Sequence, residues 1–533
     1  MGRQRVITLY ESLRDAEQGD ISWTTEQKVS LVEKLNELGS FHKRINIEVG
    51  MPGANEKDRE VFDRLKEMEF DHLNIYAFSG TIHKDNTVET DEVFQQVLNS
   101  WVPNVTIVGK SCGDHVKRGL GATYTRNLEL ITESVLALKG AGKNVNFDVE
   151  HAFDGYKFNK DYFFQTLKAA VDAGADCLTL CDTKGGSKPN HVGKVIKEVI
   201  EYFYGKVPVA VHCHNDRGKA VANSEAAVDA GAVEVQGTFL YDSTGERCAN
   251  ADLACITGNL IEDDESDYVV LPNKRFEKLT SIVRAMEVIA GVEHDPSRPY
   301  VGRNAFAHKG GYHQADVKKH PDLYEHVDPA KYGNRRRFIV SDLGGRSGLR
   351  YIFEELKLPE PSRSVFDKLA EKIKSNGMER ELMQKTDDSL ALFLLTEGGF
   401  ISNPFVVKYR RIIDEERVGN GDQYKNVDAV VRIEGMEPGI GYGVGPVNAL
   451  NNAIKASLAT SKDKAIRNLD ELHLKGFYVK TMNGDQGTAA TVKVEGVFDY
   501  RGRTIHTSCV HDNITKASER VIVDALKVAL IPS

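Results

Sequence analysis

Long apolar stretches are missing from this 533-residue sequence: the longest unbroken run is Leu390–Leu395, against the ~18 residues a membrane-spanning helix needs. No membrane partner is expected. The opening residues, MGRQRVITLYESLRD, pass at once into polar and charged sequence, which is not the pattern of a secretory signal. Cysteine is scarce, with seven residues and no CxxC pair, so no disulfide framework or thiolate metal knuckle is implied, and free thiols fit a reducing cytoplasmic setting. An excess of basic charge is also absent: 69 Lys and Arg face 78 Asp and Glu, a formal net charge of −9, which argues against nucleic acid as a partner. Only 15 prolines occur, too few for extended low-complexity tracts.

What remains is the composition of an ordinary globular protein, 41% hydrophobic and 28% charged, long enough for roughly three to four domains. Short β-rich runs recur from residue 6, each followed by a polar loop and an amphipathic stretch: VITLY, RINIEV, HLNIYAF, NVTIVGK, NVNFDVE, CLTLCDT, VPVAVHCHND and VEVQGTF. Eight such βα units predict an α/β fold, a (β/α)8 barrel of ordinary ~250-residue length over residues 1–270. A doubly wound open sheet is the competing arrangement. Between the first two runs, Thr24 and Gln27 form a capping box, Leu31, Val32, Leu35 and Leu38 share one face, and Gly39 stands at the expected C-terminal cap. Residues 271–398 read as a helical connecting region. Residues 399–533 read as an α+β domain with a two-fold pseudo-repeat, each half holding strands and then one helix, at VNALNNAIKASL and TKASERVIVDALKVAL.

In a parallel barrel the active site forms where strands end, so reactive side chains should gather there. They do: Arg14 and Asp15 follow the first run, Glu48 ends the second, Asp148 and Glu150 the fifth, Asp182 and Thr183 the sixth, His212 and His214 the seventh. In a strand, residues i and i+2 face the same way, so His212 and His214 can share one divalent cation while Cys213 points away. Asp15 supplies a carboxylate, completing a set that leaves open positions for substrate. The alternative for the histidine pair is polar packing. Arg14 is suited to stabilise an oxyanion, being permanently charged with fixed donors. Glu48 and Glu150 need a partner or a proton-handling task after such apolar runs, structural ion pairing being the alternative, and Thr183 either binds a carboxylate or caps a helix. Beyond the barrel, AFAHKGGYH offers His313 as a candidate base, and the Asn334–Arg337 run is read as a solvated basic face.

Together LRDAEQ (13–18), IEVGMPG (47–53), DVEHAFDGYK (148–157), CDTKGG (181–186), HCHND (212–216), GERCAN (245–250), YVGRNAFAHKGGYH (300–313) and YEHVDPAKYGNRRR (324–337) resemble the DRE-TIM metallolyase superfamily. Within it they resemble the citramalate synthase branch of the isopropylmalate and homocitrate synthase group. GVGPVNAL (443–450) and NGDQGTAATVKV (483–494) are similar to that group's regulatory domain. The resemblance implies an acyltransferase: acetyl-CoA is enolised, attacks a 2-oxo acid such as pyruvate held on a divalent metal ion (Mg2+, Mn2+ or Zn2+), and the thioester is hydrolysed. It implies Asp15, His212, His214 and Asn250 around the metal, Arg14 on the developing alkoxide, and Glu48 holding that arginine. Glu150 and Thr183, with Asp148, line the substrate sites, and His313 and Tyr324 lean over the barrel mouth, His313 taking the methyl proton. Homodimerisation and feedback by a branched-chain amino acid, isoleucine, follow from the same resemblance.

The sequence departs from the group's pattern at the mouth. Tyr10, Glu11 and Ser12 replace the start of DTTLRDG, Lys184 stands for asparagine in CDTNGG, SGTIHK (79–84) replaces a basic stretch, and Ala249 stands for glycine in GERxGN. Lys184 beside Thr183 suggests an acceptor more negative than pyruvate. Two alternatives remain at this point: a synthase using another 2-oxo acid, such as a 2-isopropylmalate synthase, and a lyase of the same superfamily.

Overall fold

The computed structural model describes residues 5–42, 45–241, 244–263, 268–270, 276–309, 311–339, 345–374, 385–417 and 424–531. They form two compact units, one made of residues up to Phe306 with Val327–Arg335, the other of Ala307–His326 and Arg336 onward. Among the described residues no helix is long and apolar enough to cross a membrane.

The first unit is a closed barrel of eight parallel strands: β1 (Thr8–Ser12), β2 (Ile45–Gly50), β3 (Leu73–Gly80), β4 (Asn104–Lys110), β5 (Asn144–Glu150), β6 (Cys177–Asp182), β7 (Val209–Cys213) and β8 (Glu234–Gly237). Closure is direct, since β8 pairs with β1 in parallel, Leu9 opposite Val235. All six residues of β2 are buried, as expected of a parallel strand covered on both faces. Outside run the helices α1 (Thr25–His42), α2 (Glu56–Lys66), α3 (Glu92–Leu98), α4 (Tyr124–Gly140), α5 (Lys160–Asp172), α6 (Pro189–Tyr202), α7 (Ala220–Asp229) and α8 (Leu253–Glu262). The first β-rich run divides: its Val6, with Arg5 just before it, pairs in parallel with Tyr268–Val269 outside the barrel, and only from Thr8 does the chain enter the wall.

Helix α1 starts as its sequence indicates, with Gln27 N donating to Thr24 Oγ1 over 3.2 Å and Thr24 N to Gln27 Oε1 over 2.9 Å. It does not stop at Gly39. The helix runs on to His42, and Gly39 is instead where it crosses the backbone of His72, since a Cβ there would come within 2.9 Å of the His72 Cβ.

Beyond the barrel, α9 (Leu279–Ala290) lies on α1, with Trp23 Nε1 donating to Ala290 O and Gln27 Nε2 to Ile289 O. The following segment is anchored by Arg298, which is 1% exposed. Its guanidinium donates to Asp252 through Nε (2.9 Å) and Nη2 (2.7 Å), to Glu287 through Nη1 (3.2 Å), and to the Phe239 carbonyl. Asp252 also caps α8 through the Ala254 and Cys255 amides. One arginine thus ties the chain after the barrel to the exit of β8.

The second unit holds α10 (Gly311–Lys319), α11 (Gly345–Glu355), α12 (Arg363–Lys374) and α13 (Asp387–Glu397). It contains a parallel pair of two-residue strands, Ala307–His308 with Arg337–Phe338, in a region whose sequence shows no strand alternation. Its α+β part has two three-stranded antiparallel sheets. One is β9 (Val407–Arg417), β10 (Tyr424–Ile433) and β11 (Gly439–Gly443), followed by α14 (Pro446–Leu458); the other is β12 (His473–Thr481), β13 (Val492–Tyr500) and β14 (Arg503–His511), followed by α15 (Ile514–Ala529). The pseudo-repeat is complete, but strand β11 is invisible to a propensity reading because its sequence is GIGYG, and glycine weakens strand signals. The glycines have a packing reason: a Cβ at Gly441 would sit 2.8 Å from the Asn452 carbonyl carbon and collide with Ala453 N and Ala449 O of α14. The sheet can lie on this helix only without side chains there.

Two stability measurements test these contacts. Arg298→Met removes the cation from Asp252 and Glu287, leaves buried carboxylates uncompensated and should cost about 3–5 kcal/mol in denaturant unfolding; a loss under 1 kcal/mol would show the cluster to be incidental. Gly441→Val overpacks the β11–α14 contact and should cost about 1–3 kcal/mol, whereas unchanged unfolding would mean that the sheet can lift from the helix freely.

Candidate active site

At the carboxyl end of β1, Ser12 Oγ accepts the Asp15 amide over 3.2 Å and caps the one-turn helix Leu13–Ala16. That turn throws Arg14 and Asp15 inward together. Arg14 Nε meets Glu48 Oε1 of β2 at 2.6 Å, its Nη2 meets Asp15 Oδ1 at 2.8 Å, and the guanidinium lies 3.9 Å from the centre of the Phe78 ring on β3. Glu48 also accepts from Ser12 Oγ (2.9 Å) and Tyr10 OH (3.3 Å), and Tyr10 OH is 2.5 Å from Thr106 Oγ1 of β4. Burial pushes the Glu48 carboxyl up, and Arg14 opposes it. For Asp15 burial likewise pushes up, but Arg14, His212 and His214 reverse it and hold the carboxylate below its ordinary range. Carboxylates flanking a guanidinium keep it charged despite burial.

His212 and His214 leave β7 on one side, ring centres 5.1 Å apart, while Cys213 is buried in the hydrophobic core. His212 Nε2 lies 3.4 Å from Asp15 Oδ2, and its Nδ1 is 3.2 Å from Gln236 Oε1 of β8. Burial keeps both imidazoles neutral, pushing His214 down to about 4. Asn250 arrives from the loop after β8, whose backbone takes left-handed conformations at Gly245, Arg247 and Ala249 (φ 63°). The loop is held because Gly245 N donates to Ala16 O, Asn215 N to Ala249 O, and Arg247 to Asp216 and the Thr183 carbonyl. Asn250 Nδ2 donates to Asp15 Oδ2 over 3.1 Å and lies 3.5 Å from His212 Nε2. The four residues expected around a metal are therefore neighbours.

Among the described residues no three His, Cys, Asp or Glu side chains close into a ready coordination shell. The donors nonetheless suit a divalent ion. His214 Nδ1 and Asn250 Oδ1 are buried without a hydrogen-bond partner, and a half turn of the Asn250 amide would present that oxygen beside Asp15 and His212. One carboxylate, two neutral imidazoles and an amide oxygen make a set that a divalent ion accepts while keeping open positions.

The other expected residues are distributed differently. Asp148 lies on β5, buried, with its carboxyl raised by burial and by Glu48, and Gln236 Nε2 approaches it at 3.4 Å. Glu150, in contrast, turns to Lys110 in an ion pair. Thr183 Oγ1 accepts the amide of His151, which sits at φ 56° and stacks on His115 with ring centres 3.7 Å apart. Lys184 pairs with Asp154 at 3.1 Å, so its charge is already matched. In the second unit, His313 and Tyr324 lie ring to ring, 4.6 Å apart. Sequence reasoning missed Tyr10, Ser12, Phe78, Thr179 and Gln236. The signal for Tyr10 and Ser12 was their period-two spacing on the strand that delivers Arg14; Gln236 carried none, since a polar residue in a strand reads by default as solvent-facing.

Comparisons with known proteins place the chain in a family. The HMGL-like family model matches residues 5–285, the homocitrate synthase post-HMGL domain-like model residues 300–381, and the LeuA allosteric (dimerisation) domain model residues 384–530. The chain is 35% identical to the (R)-citramalate synthase of Aquifex aeolicus, over 99% of this chain and 98% of that one. It is 35% identical to the (R)-citramalate synthase of Geobacter sulfurreducens, over 98% of each, and 28% identical to the 2-isopropylmalate synthase of Methanocaldococcus jannaschii, over 99% of this chain and 95% of the relative. Among solved structures, an HMG-CoA lyase from Brucella melitensis aligns with 54% of this chain and 98% of its own at 15% identity, with a TM-score of 0.43. By its barrel model and its full-length relatives, the chain belongs to the HMGL-like family, in the group of the (R)-citramalate synthases.

Proposed function

We propose that the protein condenses acetyl-CoA with pyruvate and hydrolyses the resulting thioester, giving citramalate and CoA in a route to isoleucine. The observation that carries this reading is the half-buried Arg14, held between the buried Glu48 and Asp15 beside His212 and Asn250. In the condensation the acetyl methyl loses a proton, the new C–C bond forms at the pyruvate keto carbon, and the carbonyl oxygen becomes an alkoxide that must be stabilised and protonated. Water then takes the acyl group, releasing CoA as a thiol. Asp15, His212, His214 and the Asn250 oxygen would hold a divalent ion, whose chemistry when bound is Lewis-acid polarisation of the 2-oxo acid.

Arg14 has donors left after its bonds to Glu48 and Asp15, and a fixed cation in a dry site is suited to a developing oxyanion. Glu48 holds that cation in place and is itself held by Ser12 and Tyr10. Asp148 is a buried carboxyl that burial and the neighbouring Glu48 push up, and it accepts from Gln236 Nε2 on β8. Thr183 and Glu150 act on the rim of the substrate sites, Thr183 by holding the loop at His151 and Glu150 through Lys110. The family resemblance assigns the methyl proton to His313, with Tyr324 beside it. The residue range matched by the allosteric domain supports a homodimer with a branched-chain amino acid, isoleucine, as effector.

The test is thiol release from acetyl-CoA with Mg2+ or Mn2+ across pyruvate, 2-oxobutyrate, 2-oxoisovalerate, 2-oxoglutarate and oxaloacetate. Pyruvate should be the best acceptor, and chelation or Asp15→Ala should abolish turnover. A better dianionic acceptor would restore the reading suggested by Lys184 and overturn pyruvate; activity retained in Asp15→Ala would overturn the site. Arg14→Leu should lower kcat by about 10²–10³, and a pure KM effect would show that the arginine binds ground state and transition state alike.

A further inference from the structure

Barrel interiors are commonly filled with branched aliphatic side chains. Here buried polar groups on four strands touch in sequence instead. Glu234 on β8 accepts from Asn46 Nδ2 (2.6 Å) and Asn146 Nδ2 (3.3 Å). Thr179 Oγ1 on β6 donates to Asn146 Oδ1 (2.8 Å), Gln236 Nε2 donates to Thr179 Oγ1 (3.2 Å), and Gln236 Oε1 faces His212 Nδ1 (3.2 Å). Glu234, Asn146, Thr179, Gln236 and His212 are all at most 8% exposed, so water does not complete these bonds.

The direction of every bond follows from one end. An ionised carboxylate only accepts, so Asn146 must turn its NH2 to Glu234, which leaves Oδ1 to accept. Thr179 spends its one hydrogen on that oxygen and can only accept from Gln236. Gln236 therefore turns its NH2 inward, where Asp148 Oδ1 also lies 3.4 Å away, and its oxygen toward His212. His212 meets the Gln236 oxygen at Nδ1 and the Asn250 NH2 at Nε2, where Asp15 Oδ2 lies 3.4 Å away, so the neutral ring that satisfies both amides carries its proton at Nδ1 and its lone pair at Nε2. We propose that Glu234 is a positioning residue whose acceptor-only carboxylate sets the polarity of this buried chain and so fixes the tautomer of His212. Burial pushes Glu234 up, to about 7, against the hydrogen bonds from Asn46 and Asn146, so the acceptor-only form that sets this polarity belongs to pH above that value.

The consequence for metal binding rests on the assignment of His212 as a ligand; the polarity itself does not. An acceptor at the distal nitrogen commonly raises ligand affinity, and its loss costs about 10–100-fold. In Glu234→Gln the amide must offer hydrogens to one neighbour, the Asn146 branch is free to reverse, and His212 can shift its proton to Nε2. The experiment is 15N NMR of the full chain labelled at histidine, with His212 identified by its disappearance in His212→Gln, alongside calorimetric titration with Mn2+. The expected result is an Nδ1-protonated His212 in the wild type, a shift toward the Nε2-protonated form in Glu234→Gln, and Mn2+ affinity lower by about 10–100-fold. An unchanged His212 signature in folded Glu234→Gln overturns the inference. Should that variant fail to fold, Gln236→Met cuts the last link, and a signature that persists there overturns it equally. If the tautomer shifts while Mn2+ binding is indifferent to His212→Gln, the polarity inference stands and the ligand assignment falls.

Discussion

A half-buried guanidinium held between two buried carboxylates sets the terms for the rest of this barrel. Taking Arg14, Asp15 and Glu48 out of water carries a large desolvation penalty, and only close geometry with further hydrogen bonds offsets it. The structure provides both: contacts of 2.6 and 2.8 Å, an aromatic face under the cation, and hydroxyls from Ser12 and Tyr10 on Glu48. Because Arg14 and Asp15 stand on the one-turn helix that follows β1 and Glu48 on β2, the cluster also fixes how those two strand ends meet. Removing Arg14 leaves two buried carboxylates without their cation, and removing either carboxylate leaves Arg14 with only the other.

That arrangement explains the polar interior beneath it. A barrel filled with aliphatic layers would be more stable, but it would present His212 with no acceptor and Asp148 with no neighbour. The chain from Glu234 to Gln236 supplies both, so the lower polar layer and the mouth form one connected network. The loop after β8 completes it from above. Its left-handed residues bring Asn250 over His212, and Arg298 clamps the start of α8 two residues later through Asp252.

The barrel was legible because its eight strands are β-rich runs that stand out against the polar loops and amphipathic helices between them. So was the two-fold repeat of the second unit, from its helices. The unread parts have identifiable causes. Strand β11 hides in GIGYG because packing against α14 requires glycine there, and Gly39 looks like a cap but serves a close crossing. Val6 opens a β-rich run that the barrel wall uses only from Thr8. At the site, the strand-end positions of Arg14, Asp15, Glu48, His212 and His214 were readable, since chemistry-bearing residues after apolar runs are conspicuous. What was not readable is the pairing. Glu150 and Lys184 face Lys110 and Asp154, Thr183 bonds the His151 amide, and the interior glutamate and glutamine look in sequence like residues turned to solvent.

The central claim is that this mouth joins an acetyl carbanion equivalent to a 2-oxo acid at its keto carbon. The most direct measurement is 13C NMR of a reaction containing the protein, acetyl-CoA, Mn2+ and pyruvate labelled at C2. The account requires the ketone resonance to give way to that of a carbinol carbon bearing methyl, carboxylate and methylene substituents. A labelled carbonyl that persists through complete thiol release would contradict it.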